Sequence, residues 1–228
     1  VWFLGVDLAW GFRRPSWVCI LEREKKCLWR EFFSFVTLRE WEEYLRALPP
    51  GSIVAFDAPL LVTVEKGLRA AEKELLPWLR QRHSGILPIN LSIARRRYPA
   101  LFPFWESVRR NFSLSLDFSK ENWHALEVFP PLSILGFFGN TGLALYRFGR
   151  LRELGELFRG EGSPLHIENL GECLSACLCP SPGKKDRFDA FICACTALFA
   201  GQYGKDALRT FGNGESFIVL PSWVGELS

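Results

Sequence analysis

Read from its residues, the chain predicts an α/β fold: one mixed sheet of five strands flanked by helices. Residues 1–35 hold three β-type runs separated by short turns, the pattern of an antiparallel meander. Val1 to Val6 and Ile53 to Phe56 are apolar on both alternating faces, as in strands covered on two sides by helices. Segments of helical period then alternate with the later strands.

The opening strands are expected at about Val1 to Trp10, Ser16 to Arg23 and Cys27 to Phe35, with Gly11, Pro15 and a charged Glu24-Lys25-Lys26 stretch in the turns. Leu38, Trp41, Leu45 and Leu48 recur at helical spacing, with Thr37 as N-cap and Pro49-Pro50-Gly51 as the stop. A strand from Ser52 to Leu61 follows and should neighbour the opening strand at the sheet centre. Glu65 to Leu76 reads as a helix striped by Leu68, Ala71 and Leu75, which Pro77 should kink or end. From His83 to Trp123 the chain is rich in proline, arginine and aromatics and lacks a clean period. That stretch is read as an insertion of short helices and long loops facing the substrate. Ala125 to Phe129 is a fifth strand bounded by Pro130-Pro131, with helices expected at Tyr146 to Phe158 and Ile167 to Leu178. The last long helix, Lys184 to Tyr203, aligns Ala190, Ala194, Ala197 and Gly201, small enough for close packing on the sheet. Leu208 to Phe211 and Ser216 to Leu220 form a terminal hairpin around Gly212-Asn213-Gly214.

At 228 residues the chain has the length of one large domain with its own core. Its apolar runs are too short and too broken by charge to span a bilayer. Val1 to Leu4 carry no basic leader, so the cytoplasm is the expected compartment. Seven cysteines, an odd number, fit buried thiols in a reducing compartment. The spacing of Cys173, Cys177, Cys179, Cys193 and Cys195 is not the usual zinc spacing. His83, His124 and His166 stand apart from any evident nucleophile, which argues against a Ser-His or Cys-His mechanism. A net charge of +3 is too small to signal nucleic-acid binding by itself. Local clusters matter more: Arg13-Arg14, Arg95 to Arg97, Arg109-Arg110 and Lys184-Lys185. Methionine is absent and arginine outnumbers lysine, a bias compatible with a thermophile.

Five acids stand where apolar runs stop or start: Asp7, Asp57, Glu127, Asp186 and Asp189. A carboxylate at the edge of a core is costly unless it is paired or metal-bound. If their strands are neighbours, the backbones at Asp7 and Asp57 lie about 5 Å apart. Two ionised carboxylates that close call for a shared proton or a divalent cation, and oxygen ligands favour Mg²⁺ or Mn²⁺. Asp186 and Asp189, one helical turn apart, can point from one face at the same strand ends. Arg13, Arg14, Lys184 and Lys185 lie near these acids in sequence, where a phosphate-bearing substrate needs cations. Each acid also has a local reading. Asp7 and Asp57 suit turns, Asp186 and Asp189 suit the first turn of a helix, Glu127 can pair with an arginine of the 83–123 insertion, and Arg69 with Glu72.

The order of meander, helix, acid-ended strand, helix, strand and acidic helix resembles the ribonuclease H-like fold, and more closely its resolvase branch. Gly5-Val6-Asp7-Leu8-Ala9, Ala55-Phe56-Asp57-Ala58-Pro59-Leu60, Arg69 with Glu72, Glu127-Val128-Phe129-Pro130 and Asp186-Arg187-Phe188-Asp189-Ala190 look like the DUF429 family of predicted nucleases. The resemblance implies a metal-dependent nuclease acting on DNA or RNA. Asp7 would bridge two Mg²⁺ or Mn²⁺ ions, Asp57 and Asp189 would each complete one shell, and Asp186 or Glu127 would assist. Arg13, Arg14, Arg69, Lys184 and Lys185 would bind substrate. Two rival readings stand beside it: a phosphotransferase of the sugar-kinase or actin-like type, and a non-catalytic binding or scaffold protein with the same fold.

Overall fold

The computed structural model describes residues 1–82, 85–118, 121–213 and 216–223. Strands β1 (Trp2–Asp7), β2 (Ser16–Arg23) and β3 (Cys27–Phe35) pair antiparallel, as the meander predicts. Helix α1 (Leu38–Leu45) begins at a capping box: Thr37 Oγ1 accepts from the Glu40 N–H, and the Glu40 carboxylate accepts from the Thr37 N–H. Strands β4 (Ile53–Phe56) and β5 (His124–Glu127) add in parallel on the other side of β1, giving the order β3-β2-β1-β4-β5.

Between β4 and β5 run α2 (Ala70–Gln81), α3 (Leu91–Arg97) and α4 (Leu101–Asn111). Beyond β5 come α5 (Pro130–Arg147), α6 (Leu151–Leu157), α7 (Leu170–Cys177) and α8 (Lys184–Tyr203), then the hairpin β6 (Leu208–Asn213) and β7 (Ser216–Pro221). One sheet face places Phe3, Cys19, Ala55 and Leu126 against α8; the other places Leu4, Val6, Val54 and Phe56 against Trp41 of α1 and Phe104 and Trp105 of α4. A smaller cluster joins Ala71 and Leu75 of α2, Leu132 of α5 and Ile218 and Leu220 of β7.

Helix α8 is buried on every side from Arg187 to Ala200, the signature of a helix inside the protein rather than on it. Its small residues do what their spacing predicts. A Cβ on Gly5 would lie 1.9 Å from the Ala190 carbonyl oxygen and 2.1 Å from the Ala194 nitrogen, so only glycine lets helix and strand touch there. At the other end Gly201 abuts Phe3, so α8 runs antiparallel to β1 and its first turns arrive at the C-terminal end of that strand.

Four expectations need correction. Helix α2 starts later than Glu65, because Gly67 sits at φ +84°, outside helical geometry, and it continues through Pro77 to Gln81. Helix α5 was unexpected: Pro130 and Pro131, read as a strand stop, are also the first residues of a helix that bends at Gly139 (φ +62°). The helix predicted from Tyr146 is split, since α5 ends at Arg147 and Gly149 (φ +68°) separates it from α6. The stretch 83–123 holds the short helices expected of it, but α4 is a core layer rather than a lid, burying Leu101, Phe104, Trp105 and Val108. Within that stretch His83, Ser84, Ser119 and Lys120 lie outside the described residues, as do Gly214 and Glu215 of the hairpin turn. Cys179 is exposed and the other six cysteines are buried. No helix among the described residues is long and apolar enough to cross a membrane.

Candidate functional site

The site begins with a register. Val6 pairs with Phe56 in the parallel β1/β4 ladder, and the Asp57 N–H donates to the Val6 carbonyl oxygen at 2.8 Å. Asp7 and Asp57 therefore stand side by side at the C-terminal ends of two strands about 4.8 Å apart. By alternation both share the face of Phe3 and Ala55, the side covered by α8. The antiparallel course of α8 brings Asp186 and Asp189 to the same end. All four aspartates singled out by the sequence thus converge electrostatically.

Neither the Asp7 nor the Asp57 carboxylate has a hydrogen-bond or ion-pair partner among the described residues. Burial, reinforced by Asp189 and Asp186 and opposed by Arg14 and Lys185, lifts the Asp7 carboxyl from 3.8 to about 7. Burial and then the charges of Asp7 and Asp189 push Asp57 well above the usual carboxylate range. Asp189 is placed differently. Tyr146 Oη donates to its Oδ1 at 2.7 Å, and Lys185 Nζ donates to its Oδ2 and to Tyr146 Oη, the latter at 2.6 Å. Burial still leaves the Asp189 pKa raised, although Lys185 and Tyr146 oppose it. Burial would lower Lys185, but Asp189, Asp57 and Asp7 outweigh it and the ammonium is held more firmly than usual.

Glu127 follows another course. It is in register with Phe56, one residue short of Asp57, so its side chain turns toward the opposite sheet face. There Arg69 grips it with a fork: Nη2 donates to Oε1 at 2.6 Å and Nη1 to Oε2 at 2.9 Å. Arg69 Nε also donates to Glu72 Oε1 at 2.9 Å, and the Leu60 and Ile89 N–H groups complete the two carboxylates. The three side chains are only 3 % (Arg69), 0 % (Glu72) and 6 % (Glu127) exposed. Trp105 Nε1 donates to the Pro59 carbonyl at 2.7 Å, and Arg69 Nη1 to that of Leu61 at 3.3 Å. The loop following Asp57 is thereby pinned. Glu127, expected as catalytic, and Arg69, expected to bind substrate, both line the cleft that holds Asp7 and Asp57, but they are paired with each other there and buttress that loop.

Asp7 and Asp57 lie in a cleft of about 460 Å³ whose lining includes Trp10, Arg13, Arg14, Leu87 and Tyr98. The turn carrying the arginines is set by the Phe12 N–H donating to the Ala9 carbonyl, with Phe12 itself at φ +48°. Arg13 and Arg14 are exposed; Arg14 Nη1 lies 3.9 Å from Asp186 Oδ2. Lys184, Lys185, Asp186 and Asp189 do not line this cleft, and Lys184 is simply exposed on the first turn of α8. Tyr146, Trp10 and Tyr98 are site residues that the sequence did not reveal, since an isolated aromatic carries no pattern.

Among the described residues no three His, Cys, Asp or Glu side chains form a ready metal cage. The reason is visible: Asp189 holds Lys185 and Glu127 holds Arg69. The remaining adjacent pair, Asp7 and Asp57, nevertheless fits the donor set of Mg²⁺, which commonly takes one or two carboxylates and completes its shell with waters and substrate phosphate.

The raised carboxyl of Asp7 has a measurable consequence in metal-free buffer. Its folded-state value of about 7 lies above the ordinary 3.8, so between them the folded chain keeps a proton that the unfolded chain has lost. The favourable difference is present at low pH and disappears as pH rises toward 7. Asp57 and Asp189, whose carboxyls are also raised by burial, act in the same sense. Melting in EDTA should therefore show stability falling from about pH 4 to about pH 7, with a shallower fall in Asp7→Asn. Identical slopes would contradict the assignment.

No curated protein and no solved structure matches the chain. A family model described as protein of unknown function (DUF429) matches residues 5–214, a span that holds Asp7, Asp57, Glu127, Asp186 and Asp189. The chain belongs to the DUF429 family.

Proposed function

We propose that the cleft hydrolyses phosphodiesters with Mg²⁺ or Mn²⁺ held by Asp7 and Asp57, the nuclease reading of a ribonuclease H-like fold. The observation that carries it is the side-by-side pair of carboxylates, unpartnered and raised in pKa, at the C-terminal ends of neighbouring parallel strands. Such ends are where ligands collect in sheets of this kind. A cation bound there supplies a Lewis acid for the phosphoryl group and an acidified water.

The chain's own groups do the rest. The Arg69–Glu127–Glu72 network and Trp105 fix the Asp57 loop, so the carboxylate needs little reorganisation. Arg13 and Arg14 offer planar guanidinium forks at the cleft wall, suited to phosphate oxygens. Lys185 keeps Asp189 neutralised behind the pair and contributes a fixed positive charge to it.

The test is turnover of bis(p-nitrophenyl) phosphate with Mn²⁺. Activity that requires Mn²⁺ and vanishes in EDTA is expected; none across Mg²⁺, Mn²⁺ and a range of pH would overturn the reading. Lys185 also repels the cation, so Lys185→Gln should tighten Mn²⁺ binding by about 1 kcal/mol, measured calorimetrically. Weaker or unchanged binding would show that Lys185 does not compete at the site.

A further inference from the structure

The cleft lining carries a second set of groups that the hydrolytic chemistry leaves unused. Trp10 and Tyr98, both in the cleft lining, meet edge to face with ring centroids 5.4 Å apart at 82°. Both are half-buried, and neither Trp10 Nε1 nor Tyr98 Oη has a hydrogen-bond partner among the described residues. Beside them Leu87 is 58 % exposed, an apolar surface of the cleft with nothing covering it. Flat, partly wet, apolar groups with idle polar tips are what an unstacked nucleobase needs: a π-face to lie on and an edge contact.

The charges around this apolar floor follow the same logic. Tyr98 directly follows Arg95, Arg96 and Arg97, the last turn of α3. Arg95 is bound to Glu65 at 2.6 Å, but Arg96 and Arg97 are exposed and make no ion pair among the described residues. Arg13, in the cleft lining, is likewise without an ion pair among the described residues. Uncommitted guanidinium groups therefore accompany both aromatics: Arg96 and Arg97 precede Tyr98 in the chain, and Arg13 lines the cleft with Trp10, Asp7 and Asp57. A duplex presents phosphates and groove edges only, leaving Trp10, Tyr98 and Leu87 with no partner. A single nucleotide leaves Arg96 and Arg97, outside the cleft lining, with nothing to bind.

We infer that the cleft binds single-stranded nucleic acid, with an unpaired base on Trp10 and Tyr98 and successive phosphates on Arg13 and on Arg96 and Arg97. The inference rests on the hydrolase reading for the position of the scissile bond, but its binding surface is separate from Asp7 and Asp57.

Fluorescence anisotropy in EDTA tests it without catalysis. A short labelled strand, as DNA and as RNA, is compared with its own duplex and with a labelled mononucleotide. The single strand is expected to bind at least about tenfold tighter than either, and Trp10→Ala and Tyr98→Ala each to lose about tenfold. Arg96→Ala with Arg97→Ala, both at exposed helix positions, should lower the salt dependence of log Kd by about 1–2 phosphate contacts. Trp10→Phe, which keeps an aromatic face, should restore most of the affinity. Equal or tighter duplex binding, or full affinity in both alanine variants, overturns the inference. Bis(p-nitrophenyl) phosphate turnover by the wild type separates the two readings. Turnover without strand preference removes the substrate inference alone; strand preference without turnover removes the hydrolase reading alone.

Discussion

Asp57→Asn is expected to reduce Mn²⁺-dependent phosphodiester turnover by more than about 100-fold, since even an outer partner of a metal site is worth 10–100-fold. The same substitution should leave the protein folded and, in EDTA above neutral pH, more stable than the wild type. The two effects have opposite signs for one reason. Asp57 is half-buried beside Asp7 with no counter-charge of its own, so ionisation costs stability in the apo protein. A cation held by the pair, as proposed, would offset that cost. An inactive but stabilised variant separates loss of a ligand from loss of fold. A variant that keeps its turnover would remove Asp57 from the chemistry, and one that is inactive because it melts early would make it a structural residue.

Arg69→Ala should be the most damaging substitution for folding, at roughly 3–5 kcal/mol. Arg69 is 3 % exposed and holds two acids, Glu127 and Glu72, that are almost wholly buried. Removing the guanidinium leaves two carboxylates without compensation, whereas typical domains have only about 5–15 kcal/mol to lose. Arg69→Lys keeps a charge but cannot form the fork to Glu127 while reaching Glu72, so it should recover only part of the loss. Urea unfolding measures both. A loss below about 1 kcal/mol for Arg69→Ala, the scale of an exposed pair, would mean the network does not hold the loop.

The sheet was legible because its central strands are short apolar runs bounded by turn residues and its caps are local chemistry. Thr37 with Glu40 needs no tertiary information to start a helix, and Lys184–Tyr203 announces itself by small residues every turn. Helix α4 was legible in principle: Leu101, Phe104, Trp105 and Val108 follow i, i+3, i+4, i+7, and only Pro99 and Pro103 concealed it. Proline is tolerated in the first turn of a helix, so one of the short helices expected within 83–123 is this core-facing one. Helix α5 was hidden by glycines at 136, 139 and 142.

The same limit applies to the site. Asp7 and Asp57 were found because each ends an apolar strand, and parallel neighbours place such ends together. Glu127 ends a strand too, but one residue of register turned it to the other face, where Arg69 waits. No sequence pattern shows that pleat. Tyr146 and Lys185 converge on Asp189 from α5 and α8, a contact set by helix packing alone.

Crystals soaked in Mn²⁺ and measured at the manganese absorption edge address the shared carboxylate site without depending on any assay. An anomalous peak within ligand distance of oxygens from both Asp7 and Asp57, about 2.0–2.2 Å for ions of this size, and lost in Asp57→Asn, is the expected outcome. Manganese bound by neither aspartate, or a cleft that stays empty under saturating Mn²⁺, would refute it.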